Sequence, residues 1–211
     1  MKKNRKIILF TYDYPTGKSE NTFIEFEISK LINNFDEIEL IPHKNFKEYN
    51  YKFNDKEIKV NLELSKKNNI LNILYNFFSH TIFSGIFYSE IEKIIFKKKF
   101  FLKLKMAILE LTYSEIAYNW LKKEKYINQQ NTILYSFWSN YLLLSFARIK
   151  KDYKKIRTIS RTLGSDLDGY IKDDDYVPYI NKKFYSLDKL FVLAEFQKKK
   201  LLKGKFINNE K

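Results

Sequence analysis

Three polar stretches in this chain each follow a short apolar run, and their residue types limit the chemistry open to it. The first is Thr11-Tyr-Asp-Tyr-Pro-Thr-Gly-Lys-Ser-Glu-Asn21, the second Ser136-Phe-Trp-Ser-Asn140, the third Ser160-Arg-Thr-Leu-Gly-Ser-Asp-Leu-Asp168. In the first, Gly17 lets the backbone approach a ligand closely, and a helix starting just beyond it offers free N–H groups to a phosphate or a sugar hydroxyl. The same residues also make an ordinary strand-to-helix turn. In the second, Trp138 offers an indole that stacks on a sugar ring or fills the core. In the third, Arg161 offers a guanidinium that grips a phosphate through two donors. Asp166 and Asp168 follow Gly164, where they bind hydroxyls or cap the next turn.

Other chemistries are closed. There is no cysteine, which excludes a disulfide scaffold, a thiolate metal site and a cysteine nucleophile. Neither a G-x-G-x-x-G fingerprint nor a P-loop occurs. The two histidines, His43 and His80, are far apart and have no ligand partner at metal-site spacing. His43 closes an apolar run and is compatible with a site. His80 lies within an apolar helical stretch and reads as a core residue. No metal and no cofactor are expected.

The elements that must position these residues alternate. Lys6 to Phe10 reads as a short buried strand. A helix follows, with Thr22 and Glu25 at capping-box spacing and Ile24, Ile28, Leu31 and Phe35 on one face. Glu37 to Ile41 is the second strand and Ile58 to Leu64 the third. Residues 68–126 read as a helical arm, broken near Lys97 to Lys99. The alternation then resumes: strand Thr132 to Phe137, helix Asn140 to Lys151, strand Ile156 to Ser160. Helix Val177 to Ser186 has Pro178 in its first turn. Strand Leu190 to Leu193 and a basic helix Glu195 to Lys203 complete the pattern. The expected fold class is α/β: one three-layer lobe over residues 1–211 with a mainly parallel sheet. In such sheets ligands bind at the carboxyl ends of the strands, where all three polar stretches fall.

The charge is strongly biased: 39 Lys and Arg against 25 Asp and Glu give a net charge of +14. Such chains associate with phosphate, whether of nucleotide, anionic lipid or nucleic acid, although a Lys-, Ile- and Asn-rich composition also follows from AT-rich coding. Lys97, Lys98, Lys99, Lys103 and Lys105 interleave with Phe96, Phe100, Phe101, Leu102 and Leu104. A basic, aromatic helix of this kind lies on an anionic membrane, or forms a half-buried helix with a solvated Lys face. No nucleic-acid motif is present. The apolar stretch Ile70 to Tyr88 is interrupted by Asn72, Asn76, Ser79, His80, Thr81 and Ser84, so it is read as a buried or interfacial helix rather than a span. Without a signal peptide, a cytoplasmic location is expected, with peripheral attachment to the inner face of the cell membrane.

Taken together, the motifs resemble the N-terminal domain of family-4 glycosyltransferases of the GT-B fold, the bacterial exopolysaccharide and capsule type. The resemblance rests on Tyr14-Pro-Thr-Gly17 and Asn21-Thr-Phe23 after the first strand and on Tyr135-Ser-Phe-Trp138 after a middle strand. It extends to Ser160-Arg-Thr-Leu-Gly-Ser-Asp-Leu167 and the closing segment 187–194. It implies an acceptor-side lobe, with Gly17, Trp138, Arg161 and Asp166 facing the acceptor and the cleft. It implies sugar transfer from a nucleotide-sugar substrate to a saccharide or lipid-linked acceptor, with retained anomeric configuration and no metal. The family's donor-binding domain has no counterpart in these residues and is expected on another chain. The family's catalytic His position holds Leu163, which cannot donate a hydrogen bond to the sugar, so no catalytic residue is assigned. The competing expectation is a non-catalytic module, or an inactive fragment, that binds a membrane or a partner.

Overall fold

A computed structural model describes residues 5–17, 20–44, 51–54, 56–124, 131–168 and 176–207, with the side chains of Ser165 and Asp168 outside that description. The parts of the first polar loop at Lys18 and Ser19, and the end of the helical arm at residues 125–126, lie outside the described residues.

The protein is an α/β lobe built on a seven-stranded, mainly parallel sheet. The strands are β1 (Lys6–Thr11), β2 (Glu37–Pro42), β3 (Tyr51–Phe53), β4 (Lys56–Val60), β5 (Thr132–Ser136), β6 (Arg157–Thr162) and β7 (Lys189–Val192), in the spatial order β3-β4-β2-β1-β5-β6-β7. Without β3, that is the 3-2-1-4-5-6 order of doubly wound Rossmann-like lobes. The winding reverses between β1 and β5, which pair in parallel from Lys6 opposite Thr132 to Phe10 opposite Ser136. Strand β3 adds an antiparallel hairpin to the edge through β4. This hairpin is not foreseen from the sequence, where only one strand is read between residues 58 and 64.

Alternation along β1 explains the two cores. Ile7 and Leu9 face helix α1 (Asn21–Asn34), whose Ile24 and Ile28 are fully buried against them. Ile8 and Phe10 face the opposite layer. There Trp120 and Phe146 meet the Phe10 ring edge-on, at centroid distances of 6.2 and 5.5 Å. Edge-to-face contact of this kind adds to the area each ring removes from water. Trp120 belongs to α5 (Phe100–Lys123) and Phe146 to α6 (Leu142–Asp152).

Residues 63–123 form the helical arm. It comprises α2 (Glu63–Lys67), α3 (Ile70–Asn76) running into a π-helical turn (Phe77–Thr81), α4 (Gly85–Ile94), and then α5. The break at 97–99 is as expected, with Lys99 in the left-handed region at φ 57° just ahead of α5. Four local readings change. His80, read as a core residue, is exposed on the π-helical turn, where Thr81 is the buried residue. The Thr22–Glu25 capping box does not form: Glu20 is the N-cap of α1, and its side chain reaches back into the preceding loop instead of capping. Among the helices of the last third, α7 (Gly164–Asp168) follows β6 and α9 (Glu195–Lys203) follows β7. The helix expected over 177–186 shrinks to α8 (Ile180–Lys183). Its first turn gives way because Tyr179 adopts φ 56°, held there from outside the segment: its N–H donates to Glu90 (3.0 Å) and its hydroxyl to the Ala107 carbonyl (3.1 Å). Lastly, Lys103 is buried beneath Tyr176 while Lys97, Lys98, Lys99 and Lys105 are exposed, which removes Lys103 from the surface group it was expected to join. No single described helix is long and apolar enough to cross a membrane.

Candidate functional site

In doubly wound sheets ligands bind in the crevice at the carboxyl ends of the strands where the winding reverses, and here that point lies between β1 and β5, beside the loops at 12–17 and 137–140. The first loop is organised by a residue that the sequence reading passed over. Glu20 is 1% exposed. One oxygen of its carboxylate accepts three consecutive backbone N–H groups, from Tyr12 (2.8 Å), Asp13 (2.7 Å) and Tyr14 (3.0 Å). Its other oxygen accepts the indole N–H of Trp138. Successive N–H groups curled about one point form an anion-binding nest. Here the anion is the protein's own. The sequence signal was slight, because an acidic residue just before a helix reads as a cap.

Gly17 closes the same loop. Its N–H donates to the Asp13 carbonyl at 2.6 Å. A Cβ at position 17 would lie 2.1 Å from Asp13 Cγ and 2.5 Å from Asp13 Cβ. The backbone's close approach at Gly17 is therefore to buried Asp13. Gly17→Ala should lower stability by about 1–3 kcal/mol, the usual penalty of overpacking. Urea denaturation checks this, and an unchanged midpoint would mean that the turn opens without cost.

Trp138 is half-buried. Its ring packs edge-on against Phe137 at 5.6 Å, and its N–H is committed to Glu20. Beside it, Asp166 is buried and ties two loops together. Its carboxylate accepts the N–H of Leu163 (2.9 Å) and of Ser139 (3.4 Å). Burial raises its pKa above the usual carboxylate range, opposed by those two N–H groups and by Lys183. Leu163 thus sits at the carboxyl end of β6, one loop away from Trp138. Arg161 lies on the α1 face of the sheet. Its guanidinium is 3.9 Å from the centre of the Phe137 ring and pairs with Glu27 at 3.0 Å. Tyr135 donates its hydroxyl to the same Glu27, and burial, followed by the Glu27 charge, raises the Tyr135 pKa. In this arrangement Arg161 braces α1 against β5 and β6.

Beyond β1, on the β2 side, a second group gathers. His43 stacks on Tyr12 at 5.6 Å, with Tyr113 and Tyr141 each at 5.3 Å. Its Nδ1 accepts from the Tyr141 hydroxyl (2.7 Å) and from the Asn68 amide (3.2 Å). Desolvation, and then the Lys44 charge, lower its pKa to about 4. The ring is therefore neutral near pH 7, with Nδ1 accepting and the proton on Nε2. Lys44 extends over the outer edge of this group, 4.6 Å from the Tyr12 ring centre and 4.0 Å from the Asp13 carboxylate. A run of aromatic faces bordered by a lysine suits the stacking of hydroxyl-rich rings. Of the expected site residues, Gly17, Trp138, Asp166 and Leu163 lie on three loops, after β1, β5 and β6, which Glu20 and Asp166 tie together. Arg161 stands behind them, and the exposed lysines of the arm lie elsewhere.

A cavity of about 1250 Å³ also opens among α5, α6 and α8, lined by Tyr118, Arg148, Asp152 and Asp188 among others. Asp188 accepts the N–H of Thr158 at the start of β6 (2.7 Å), which sets this cavity at the amino ends of the strands, away from the crevice.

Compared with protein-family models, curated proteins and solved structures, the chain matches none.

Proposed function

We propose that this lobe is the acceptor-side half of a GT-B glycosyltransferase of the family-4 type. With a donor-binding lobe it would transfer a sugar from a nucleotide sugar to a saccharide or lipid-linked acceptor, in the synthesis of a cell-surface polysaccharide. One observation carries the reading. Where dinucleotide-binding Rossmann lobes set a pyrophosphate against free N–H groups, this lobe fills the N–H groups with the Glu20 carboxylate. A nucleotide diphosphate would find the N–H groups of Tyr12, Asp13 and Tyr14 already taken and would face the Glu20 carboxylate. The crevice instead offers Trp138, the Tyr12 and His43 rings, and neutral polar groups. Those suit an acceptor sugar, and the donor nucleotide then belongs to the other lobe. Catalysis of this kind depends on donor and acceptor being oriented together and on preorganised dipoles.

Nuclear magnetic resonance titration tests the division of labour. Oligosaccharides should shift the Trp138 and His43 signals saturably, and uridine diphosphate should not. Tight binding of a nucleotide diphosphate by this lobe would overturn the reading.

A second reading is favoured by Leu163 alone. Its side chain cannot hydrogen-bond a transferred sugar, as the family's His does by resemblance, so the lobe would bind without catalysing. Supplying a donor-binding lobe separates the two: sugar transfer supports the enzyme, and saccharide binding with no turnover of any nucleotide sugar supports the binding module.

A further inference from the structure

The exposed large apolar side chains of the described residues are concentrated on one part of the fold. Most lie between Ile70 and Leu102. Leu71 (75% exposed), Tyr75 (66%) and Phe78 (59%) recur at helical spacing along α3 and its π-helical turn. Phe83 (75%) marks the corner before α4, and Phe96 (94%) and Phe101 (82%) flank the break before α5. Solvated apolar area of this extent on one element marks an interaction surface.

The shape and the charge identify what covers it. The limbs Ile70–Thr81 and Gly85–Ile94 meet at 92°. At ~1.5 Å per residue each is about half the ~30 Å thickness of a hydrocarbon core, so neither can span it. Bent apolar limbs of this length instead lie in the plane of an interface, with their side chains directed inward. Between Ile95 and Lys105 no acidic residue occurs. Lys97, Lys98, Lys99 and Lys105 are all exposed there, beside the two most exposed phenylalanines. Lysines that border aromatic rings place their charge at headgroups and their stems along the acyl boundary. A protein partner would match the apolar area but would not require this interleaving of exposed rings with lysines along one segment.

We infer that the α3–α4 elbow, together with the 95–105 corner, seats this protein on an anionic lipid bilayer, with Phe83 and Phe96 entering the interface and Lys97, Lys98, Lys99 and Lys105 engaging the headgroups. The arm leaves the sheet beside the crevice, because Asn68, the residue before the Asn69 cap of α3, donates to His43 Nδ1 and to the His43 carbonyl. The root of the arm therefore adjoins the His43 side of the crevice. This inference stands apart from any sugar chemistry, since the elbow is independent of what the crevice binds.

Vesicle flotation of the full chain tests it, using phosphatidylcholine vesicles with and without about 30% phosphatidylglycerol, at about 50 and about 500 mM salt. The chain should float with anionic vesicles at low salt and much less at high salt. Replacing Lys97, Lys98 and Lys99 together by Ala should weaken binding about hundredfold. The pair Phe83→Asp and Phe96→Asp should abolish it while leaving the unfolding midpoint unchanged, because both rings are solvated in the folded chain. Failure to float at low salt, equal flotation on neutral vesicles, or variants that bind like the parent would each overturn the inference. So would self-association that the Phe83→Asp and Phe96→Asp pair dissolves in a chain that does not float.

Discussion

Replacing Glu20 by Ala should cost about 4 kcal/mol of folding stability, at the upper end of what single substitutions do. The size follows from what the carboxylate satisfies. It accepts the N–H groups of Tyr12, Asp13 and Tyr14 and the indole N–H of Trp138. Hydrogen bonds to a charged group contribute ~1.5–3 kcal/mol each, and a buried donor left unsatisfied costs ~1–3 kcal/mol. The four do not add fully, because the loop can open and admit water. Glu20→Gln retains one acceptor oxygen but turns an NH2 toward donors, so it should lose about half as much, ~2 kcal/mol. Urea denaturation at constant slope measures both. A loss below ~1 kcal/mol for the Ala variant would show that the nest is not formed in solution. The same variants bear on function: if the nest's occupancy excludes phosphate, Glu20→Ala should be the form of the lobe that gains affinity for inorganic pyrophosphate.

Acid should destabilise the protein through His43 in a window that its surroundings define. In the unfolded chain an imidazole titrates near its ordinary value of 6.5, whereas in the folded chain burial and Lys44 lower it to about 4. Between those values the unfolded state holds a proton that the folded state does not. Stability therefore falls as pH falls through the window and is fully present above pH 6.5. The shift corresponds to about 3 kcal/mol. His43→Gln should flatten that slope, leaving the loss due to carboxylates. Equal slopes for the parent and the variant between pH 6.5 and 4 would exclude a neutral, desolvated imidazole at this position. The ring's environment makes the expectation firm: Tyr141 is fully buried by its neighbours, and burial, then Glu110 and Tyr113, raises its own pKa, so it remains a donor to Nδ1 throughout.

The alternation of strand and helix was legible because it is written in local patterns. The unbroken apolar run in β1 and the Ile24–Ile28 face of α1 each state their own burial, and the expected β2, β5, β6 and α9 lie within a residue or two of those observed. The hairpin at β3 was missed because Tyr51–Phe53 is too short to show a period and is held by cross-strand pairing to β4. The composition of 177–186 permits a helix throughout, and what breaks it is a tertiary demand on Tyr179 from Glu90 and Ala107. The site divides the same way. The polar loops were found from their position after strands, but the bonds that organise them join Glu20 to Trp138, Asp166 to Ser139 and His43 to Tyr141, residues remote in sequence. Arg161 shows the limit most clearly. Its type promised a phosphate, and its place opposite Glu27 gives it a partner within the lobe. Lys103 likewise looks identical to Lys97 or Lys105 until the packing of Tyr176 decides which of them is covered.

The pairing of β1 with β5 has a further consequence, for how the chain reaches this fold. Lys6 lies opposite Thr132, and residues 12 to 131 intervene between these two central strands. The β1-α1-β2 unit can form early, because β1 and β2 are close in sequence and pair along their whole length. The other edge of β1 then waits, apolar and with open hydrogen-bonding groups, until the arm has been made and folded back. Closing so long a loop is entropically slow, and topologies rich in such distant contacts fold slowly. An unpaired central strand is meanwhile a template for association with other chains. Slow refolding limited by β5 docking, and yields that fall as protein concentration rises, are the kinetic signature that this sheet order should leave.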